Sequence, residues 1–125
     1  MIDRRFLFLA GVAAGASNLL LKENAMASEP PPTYFVLFHS PGPRWREGKA
    51  FQLQPGIMSH VEYMSGFFAR GKLLMGGPFL DDSGGMMVFR TATIEEAREI
   101  ADADPAVKGG LLTVTVKPWL AAFHH

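Results

Sequence analysis

Tyr34-Phe35-Val36-Leu37-Phe38-His39 decides how this chain folds. Aromatic and β-branched side chains dominate it, and a Pro/Gly-rich stretch follows, so it reads as a strand. Side chains of a strand alternate between its two faces. Phe35 and Leu37 fall on one face, and Tyr34, Val36 and Phe38 on the other. Both faces are therefore apolar. Met86-Met87-Val88-Phe89 repeats the pattern. A sheet made of such strands needs cover on both sides.

The neighbouring segments supply one layer of cover. Residues 40–54, rich in Pro, Gly and charge, read as a long loop, a length often associated with function. Residues 55–70 read as a helix with Pro55 in its first turn. Ile57, His60, Val61, Met64, Phe67 and Phe68 recur at helical spacing and mark its predicted buried face. Gly71 is its expected cap. Residues 72–75 form a strand that runs into Gly76-Gly77-Pro78. Asp81-Asp82-Ser83-Gly84 is a turn, and residues 85–90 are the next strand. Thr93-Ile94-Glu95-Glu96 is a capping box that opens a second helix. That helix reaches about Ala103, with Ile94, Ala97, Ile100 and Ala101 inward. Asp104-Pro105 starts a short helical turn that ends at Gly109-Gly110. Residues 111–116 are the last strand, stopped by Pro118.

The order is β-α-β-β-α-β. It predicts an α+β, ferredoxin-like fold: a four-stranded antiparallel sheet with two helices on one face. The helices leave the second face bare. A second copy of the same sheet is its simplest cover, so a homodimer packed through sheet faces is expected.

Residues 1–27 read as a leader. Arg4-Arg5 precedes an apolar run over residues 6–21, and Ala25-Met26-Ala27 has the pattern of a cleavage site. Asp3-Arg4-Arg5-Phe6-Leu7 resembles the twin-arginine signal; the plainer reading is a general secretory signal with two adjacent arginines. The run is short for a membrane span of about 20 residues, so no stable membrane anchor is expected after cleavage. Export, to the periplasm, follows from this reading. Residues 28–33, with Pro30-Pro31-Pro32, form a linker. Residues 34–119 form the domain and 120–125 a tail. The chain of 125 residues holds one domain. Its 12 Lys/Arg balance 12 Asp/Glu, so there is no basic excess to hold nucleic acid. With no cysteine it has no disulfide, thiolate metal site or lipidated cysteine.

Two residues carry the candidate chemistry. The imidazole of His60 trades protons near neutrality. The Asp104 carboxylate can accept the other ring N–H and fix the tautomer. Each has a plainer reading. A histidine on an apolar stripe can be core filler, and Asp before Pro is an ordinary helix start. Asp104 serves both roles only if its second oxygen faces the site. No serine or cysteine stands at a nucleophile elbow, so the logic is proton transfer rather than acyl transfer. Arg44 and Trp45, with Arg46, read either as a lid over an anionic or aromatic substrate or as a solvated loop. Gly77 and Pro78 offer bare backbone to a pocket, or simply bend the strand. His39, His60 and Asp104 could form a two-histidine, one-carboxylate metal site, but nothing in their spacing demands it. No metal and no cofactor are expected.

His60-Val61-Glu62-Tyr63-Met64, Gly71-Lys72-Leu73-Leu74-Met75-Gly76-Gly77-Pro78, Ala101-Asp102-Ala103-Asp104-Pro105-Ala106-Val107 and residues 114–118 together resemble the YciI-like (YCII-related) family. The resemblance covers nearly all of residues 34–119. It implies a ferredoxin-like fold, a dimeric α/β barrel, and an active site centred on a histidine and an aspartate, which match His60 and Asp104. This chain departs from the family pattern at Ala106, where an aromatic residue is frequent, and at Ile57 and Met58, where a basic residue is frequent. The pocket is accordingly expected to be roomier and less polar. The expected function is cofactor-independent proton transfer of lyase, isomerase or elimination type on a small organic substrate. The alternative is a non-catalytic dimeric barrel that binds a small molecule.

Overall fold

The computed structural model of the protein describes residues 31–125, so the expected leader, with the first half of the linker, lies outside the described residues. Strand β1 spans Thr33–Pro41, helix α1 Ile57–Ala69, strand β2 Leu73–Pro78 and strand β3 Gly85–Phe89. Helix α2 spans Ile94–Asp102, the short helix α3 Pro105–Lys108, and strand β4 Leu112–Leu120. The sheet order is β2-β3-β1-β4, and every neighbouring pair is antiparallel. This is the ferredoxin-like arrangement expected from the order of elements. Each βαβ crossover skips one strand, so β3 sits between β1 and β2, and β1 between β3 and β4.

The alternation of β1 sorts the sheet. Leu37 and Phe89 are wholly buried under the helices, with Met64 of α1, Leu73 of β2, and Ala97, Ile100 and Ala101 of α2. Burial of side chains this size is worth about 1.5–3 kcal/mol each. On the opposite face Tyr34 packs against Trp119 with ring centroids 6.2 Å apart. Val36, Phe38 and Met86 border a shallow apolar hollow beside Trp119, which is 46% exposed. The second face of the sheet is thus apolar within a single chain, as the two-sided pattern of β1 requires.

Several local expectations change. Helix α1 begins at Ile57, after Gly56 at φ 92°, so Pro55 lies in the turn before the helix and not in its first turn. Gly71 caps it as expected. With φ 79°, it donates to Phe68 O while Lys72 N donates to Phe67 O. The buried face of α1 is narrower than its apolar stripe. Ile57, His60 and Met64 are buried, whereas Val61 and Phe68 are exposed. The long loop is ordered. The buried Gln54 carboxamide accepts from Arg46 N and donates to the carbonyls of Arg46 and Lys49. A 3₁₀ turn, Phe51–Leu53, follows, and Phe51 N donates to Asp82 Oδ1 in the β2–β3 turn. Gly76-Gly77-Pro78 lies within β2, paired with Met87, Met86 and Gly85. In the capping box Thr93 Oγ1 accepts from Glu96 N, but Glu96 reaches back to Ala92 N, one residue earlier than expected. Pro118 does not stop β4, which continues to Leu120. β4 is an edge strand, and there a missing N–H leaves no ladder bond unmade.

Gly84 holds the β2–β3 turn close against the end of β1. It adopts φ 131°, and a Cβ there would lie 1.9 Å from His39 O. Gly84→Ala is expected to cost at least about 2 kcal/mol of stability, read from urea denaturation.

Candidate active site

Three side chains from three elements converge under the sheet. His39 comes from the end of β1, His60 from the first turn of α1, and Asp104 from the position before α3. All three are buried, with Asp104 fully excluded from solvent. Asp104 has extended backbone, φ −61° and ψ 124°, and Pro105 occupies the first helical position. Its Oδ1 accepts from Ala106 N at 2.9 Å. Its Oδ2 lies 2.6 Å from His60 Nδ1. The two candidate roles of Asp104 therefore coexist, one on each oxygen. The cap fixes the carboxylate, and the carboxylate orients the imidazole with its proton on Nδ1.

Such a bond leaves Nε2 as the free polar atom of the His60 ring. His60 forms part of the wall of a cleft of about 550 Å³ between α1 and β2. Phe68, Met75, Met87, Gly77 and Pro78 are other parts of that wall. Val61 and Phe68, which sequence periodicity assigned to the core, line this hollow instead. His60 is the only titratable side chain in the wall. Asp104 stands behind it, outside the wall. Arg44 and Trp45 are also outside it. Trp45 packs on Phe51 at 5.8 Å between ring centroids, and the Arg44 stem lies near Gly110. The cleft accordingly brings no cationic side chain to a ligand. Among the described residues its chemistry is one imidazole and the Ser65 hydroxyl set among thioethers, aliphatic and phenyl groups and bare backbone.

His39 is the residue that pattern reading undervalued. Its Nε2 is 3.6 Å from Asp104 Oδ2, and its ring meets that of His60 edge-on at 4.9 Å. Neither of its ring nitrogens has a hydrogen-bond partner among the described residues. Burial first, then His60, push its pKa down to about 4 from 6.5, against the pull of Asp104. Its position in the sequence, closing an apolar strand, gave no sign that it would meet residues from two later elements. Tyr63 lies near the same group. Its hydroxyl donates to Ile100 O, and burial, reinforced by the Asp104 charge, raises its pKa.

His39, His60 and Asp104 each offer a ligand atom within 4.8 Å of the others, a donor set suited to a divalent transition metal. The His60–Asp104 separation of 2.6 Å is nonetheless that of a hydrogen bond. Two ligands on one ion with bonds of about 2.1 Å stand roughly 3 Å apart, so a metal would have to open the pair. As placed, His60 and Asp104 stand at the separation of a hydrogen bond and not of two ligands on one ion.

The chain was compared with known proteins. A family model described as the YCII-related domain matches residues 40–120. The uncharacterized protein YjpA of Bacillus subtilis (strain 168) is 39% identical over 66 residues, which is 53% of this chain and 78% of that protein. A solved structure of similar fold is the 5-chloro-2-hydroxyhydroquinone dehydrochlorinase TftG from Burkholderia phenoliruptrix AC1100, in complex with 2,5-dihydroxybenzoquinone. It aligns with a TM-score of 0.54 and 22% identity, covering 69% of this chain and 92% of that one.

The His39 environment has a consequence for acid stability. Between pH 6.5 and about 4 the unfolded chain binds a proton at His39 that the folded chain refuses. Stability from this residue is complete above 6.5 and is lost as pH falls toward 4, by about 3 kcal/mol in all. His39→Leu is expected to flatten this part of the acid limb, measured by urea denaturation across the pH range.

Proposed function

Because this chain belongs to the YCII-related (YciI-like) family and backs a cleft histidine with a buried carboxylate, we propose that it is a cofactor-independent enzyme. It moves a proton on a small, uncharged organic molecule. The observation that carries this reading is the 2.6 Å bond between His60 Nδ1 and Asp104 Oδ2, with the same imidazole in the wall of the apolar cleft. His60 Nε2 accepts a proton from a C–H or O–H of the substrate. The resulting imidazolium lies against Asp104 in a site that excludes water, where the ion pair gains most. The electrons of the broken bond form a new double bond. In an isomerisation the proton returns to another atom; in an elimination the leaving group departs with its electron pair. TftG, a dehydrochlorinase by name, is an example of elimination on this fold, and its quinone ligand is flat and conjugated. A general base of this kind contributes about 10²- to 10⁴-fold in rate. The walls favour a flat ring, because thioether and phenyl groups pack against ring faces.

A second copy of the chain covers the apolar sheet face made by Tyr34, Val36, Phe38, Met86 and Trp119. This reading rests on the apolar character of that face, where Trp119 is exposed and Tyr34, Phe38 and Met86 are half-buried in a single chain. Its working location is the periplasm, reached by way of the leader read in residues 1–27.

Two measurements test the proposal. With 5-chloro-2-hydroxyhydroquinone as substrate, chloride release is expected from the wild type. His60→Ala should lower it at least about 100-fold while the variant still binds 2,5-dihydroxybenzoquinone. Full turnover by that variant would remove His60 from the chemistry. Quinone binding with no turnover of any acidic substrate would favour the non-catalytic binding protein instead. For the assembly, Phe38→Asp is expected to convert a dimer to monomer in sedimentation equilibrium.

A further inference from the structure

We propose that His39 is a positioning residue for the His60–Asp104 pair, its Nε2–H directed at Asp104 Oδ2 so that one carboxylate is held between two imidazoles. The inference rests on the reading of His60 and Asp104 as the proton-moving pair. It is carried by the two ring nitrogens of His39, which are excluded from solvent and have no partner among the described residues. Buried polar groups in folded proteins are nearly always satisfied, so an orphan of this kind calls for a use. A neutral imidazole carries one N–H. The acceptor in front of Nε2 is Asp104 Oδ2, at 3.6 Å. A hydrogen bond needs about 2.9 Å, so the ring has to close by about 0.7 Å. A small rotation of a side chain at the end of a strand supplies that.

The cross-strand neighbours of His39 are shorter than its imidazole. Its register partners are Gly85 on β3 and Val114 on β4, both small. The titratable groups acting on it are His60 from α1 and Asp104 from the start of α3. The site keeps His39 uncharged, with its pKa down near 4. It therefore offers Asp104 a donor without placing a second positive charge beside the imidazolium that His60 becomes. Asp104 then receives Ala106 N on one oxygen and both imidazoles on the other. The carboxylate stays fixed while His60 changes charge.

Two-bond ¹H–¹⁵N correlation spectra near neutral pH test this without a substrate. The expected pattern is an Nε2–H tautomer for His39 and an Nδ1–H tautomer for His60. In Asp104→Asn, which keeps the cap, the ring nitrogens of both histidines should shift. In His39→Leu the His60 nitrogens should shift, and in His39→Gln, whose amide can donate in the same direction, they should return toward the wild-type positions. An Nδ1–H tautomer at His39 overturns the proposal whether or not any variant folds. So does a His39→Leu spectrum with His60 unmoved. If Asp104→Asn moves His60 but not His39, the positioning role fails while the pair stands. If it moves neither, the pair itself fails.

Discussion

The Asp104 carboxylate is the joint on which the site turns. One oxygen closes the start of α3 through Ala106 N, and the other holds the His60 ring. The first bond fixes where the short helix begins, and so how the chain enters β4. The second ties that connection to the first turn of α1. A charge with no solvent contact is costly unless it is paired and hydrogen-bonded. Here each oxygen has a donor within 2.9 Å, and among the described residues no lysine or arginine contributes. The pairing thus depends on histidine, the one common side chain that can give and take a proton near neutrality. Structure and chemistry are assigned to the same atoms.

His39 gives a scale for the trade between stability and use. A leucine in its place would bring about 2 kcal/mol of apolar burial. An imidazole whose N–H finds no acceptor costs about 1–3 kcal/mol. Neighbouring positions on the same face of β1, Phe35 and Leu37, follow the apolar rule. The departure at the third falls where the chain passes the carboxylate.

The order and type of the elements were legible because strands and helices here are separated by strong local punctuation. Thr93 and Asp104 both cap the helices they precede, and Gly71 takes the left-handed turn after α1. The meeting of His60 and Asp104 was legible only through the family resemblance. A separation of 44 residues leaves no periodic trace. What stayed hidden depends on three-dimensional neighbours. Val61 and Phe68 belong to an apolar stripe, and periodicity cannot tell a helix face that packs on a sheet from one that walls a cleft. Gln54 organises the long loop through three backbone bonds, and a lone glutamine carries no signature of that. Pro118 looked like a terminator because its cost depends on whether the strand has a neighbour on that side.

The placement of Pro118 also bears on how copies of this chain can meet. In its pairing with Phe35 the ring nitrogen faces away from β1, toward the open margin of the sheet. A strand arriving from another molecule finds that rung without a donor. Lys117 precedes it and would bring its charge to any such ladder. Fibril-like growth by strand addition is discouraged along this margin. The broad apolar side of the sheet carries no such obstacle, so Pro118 guards one margin of the sheet and leaves its face open to contact.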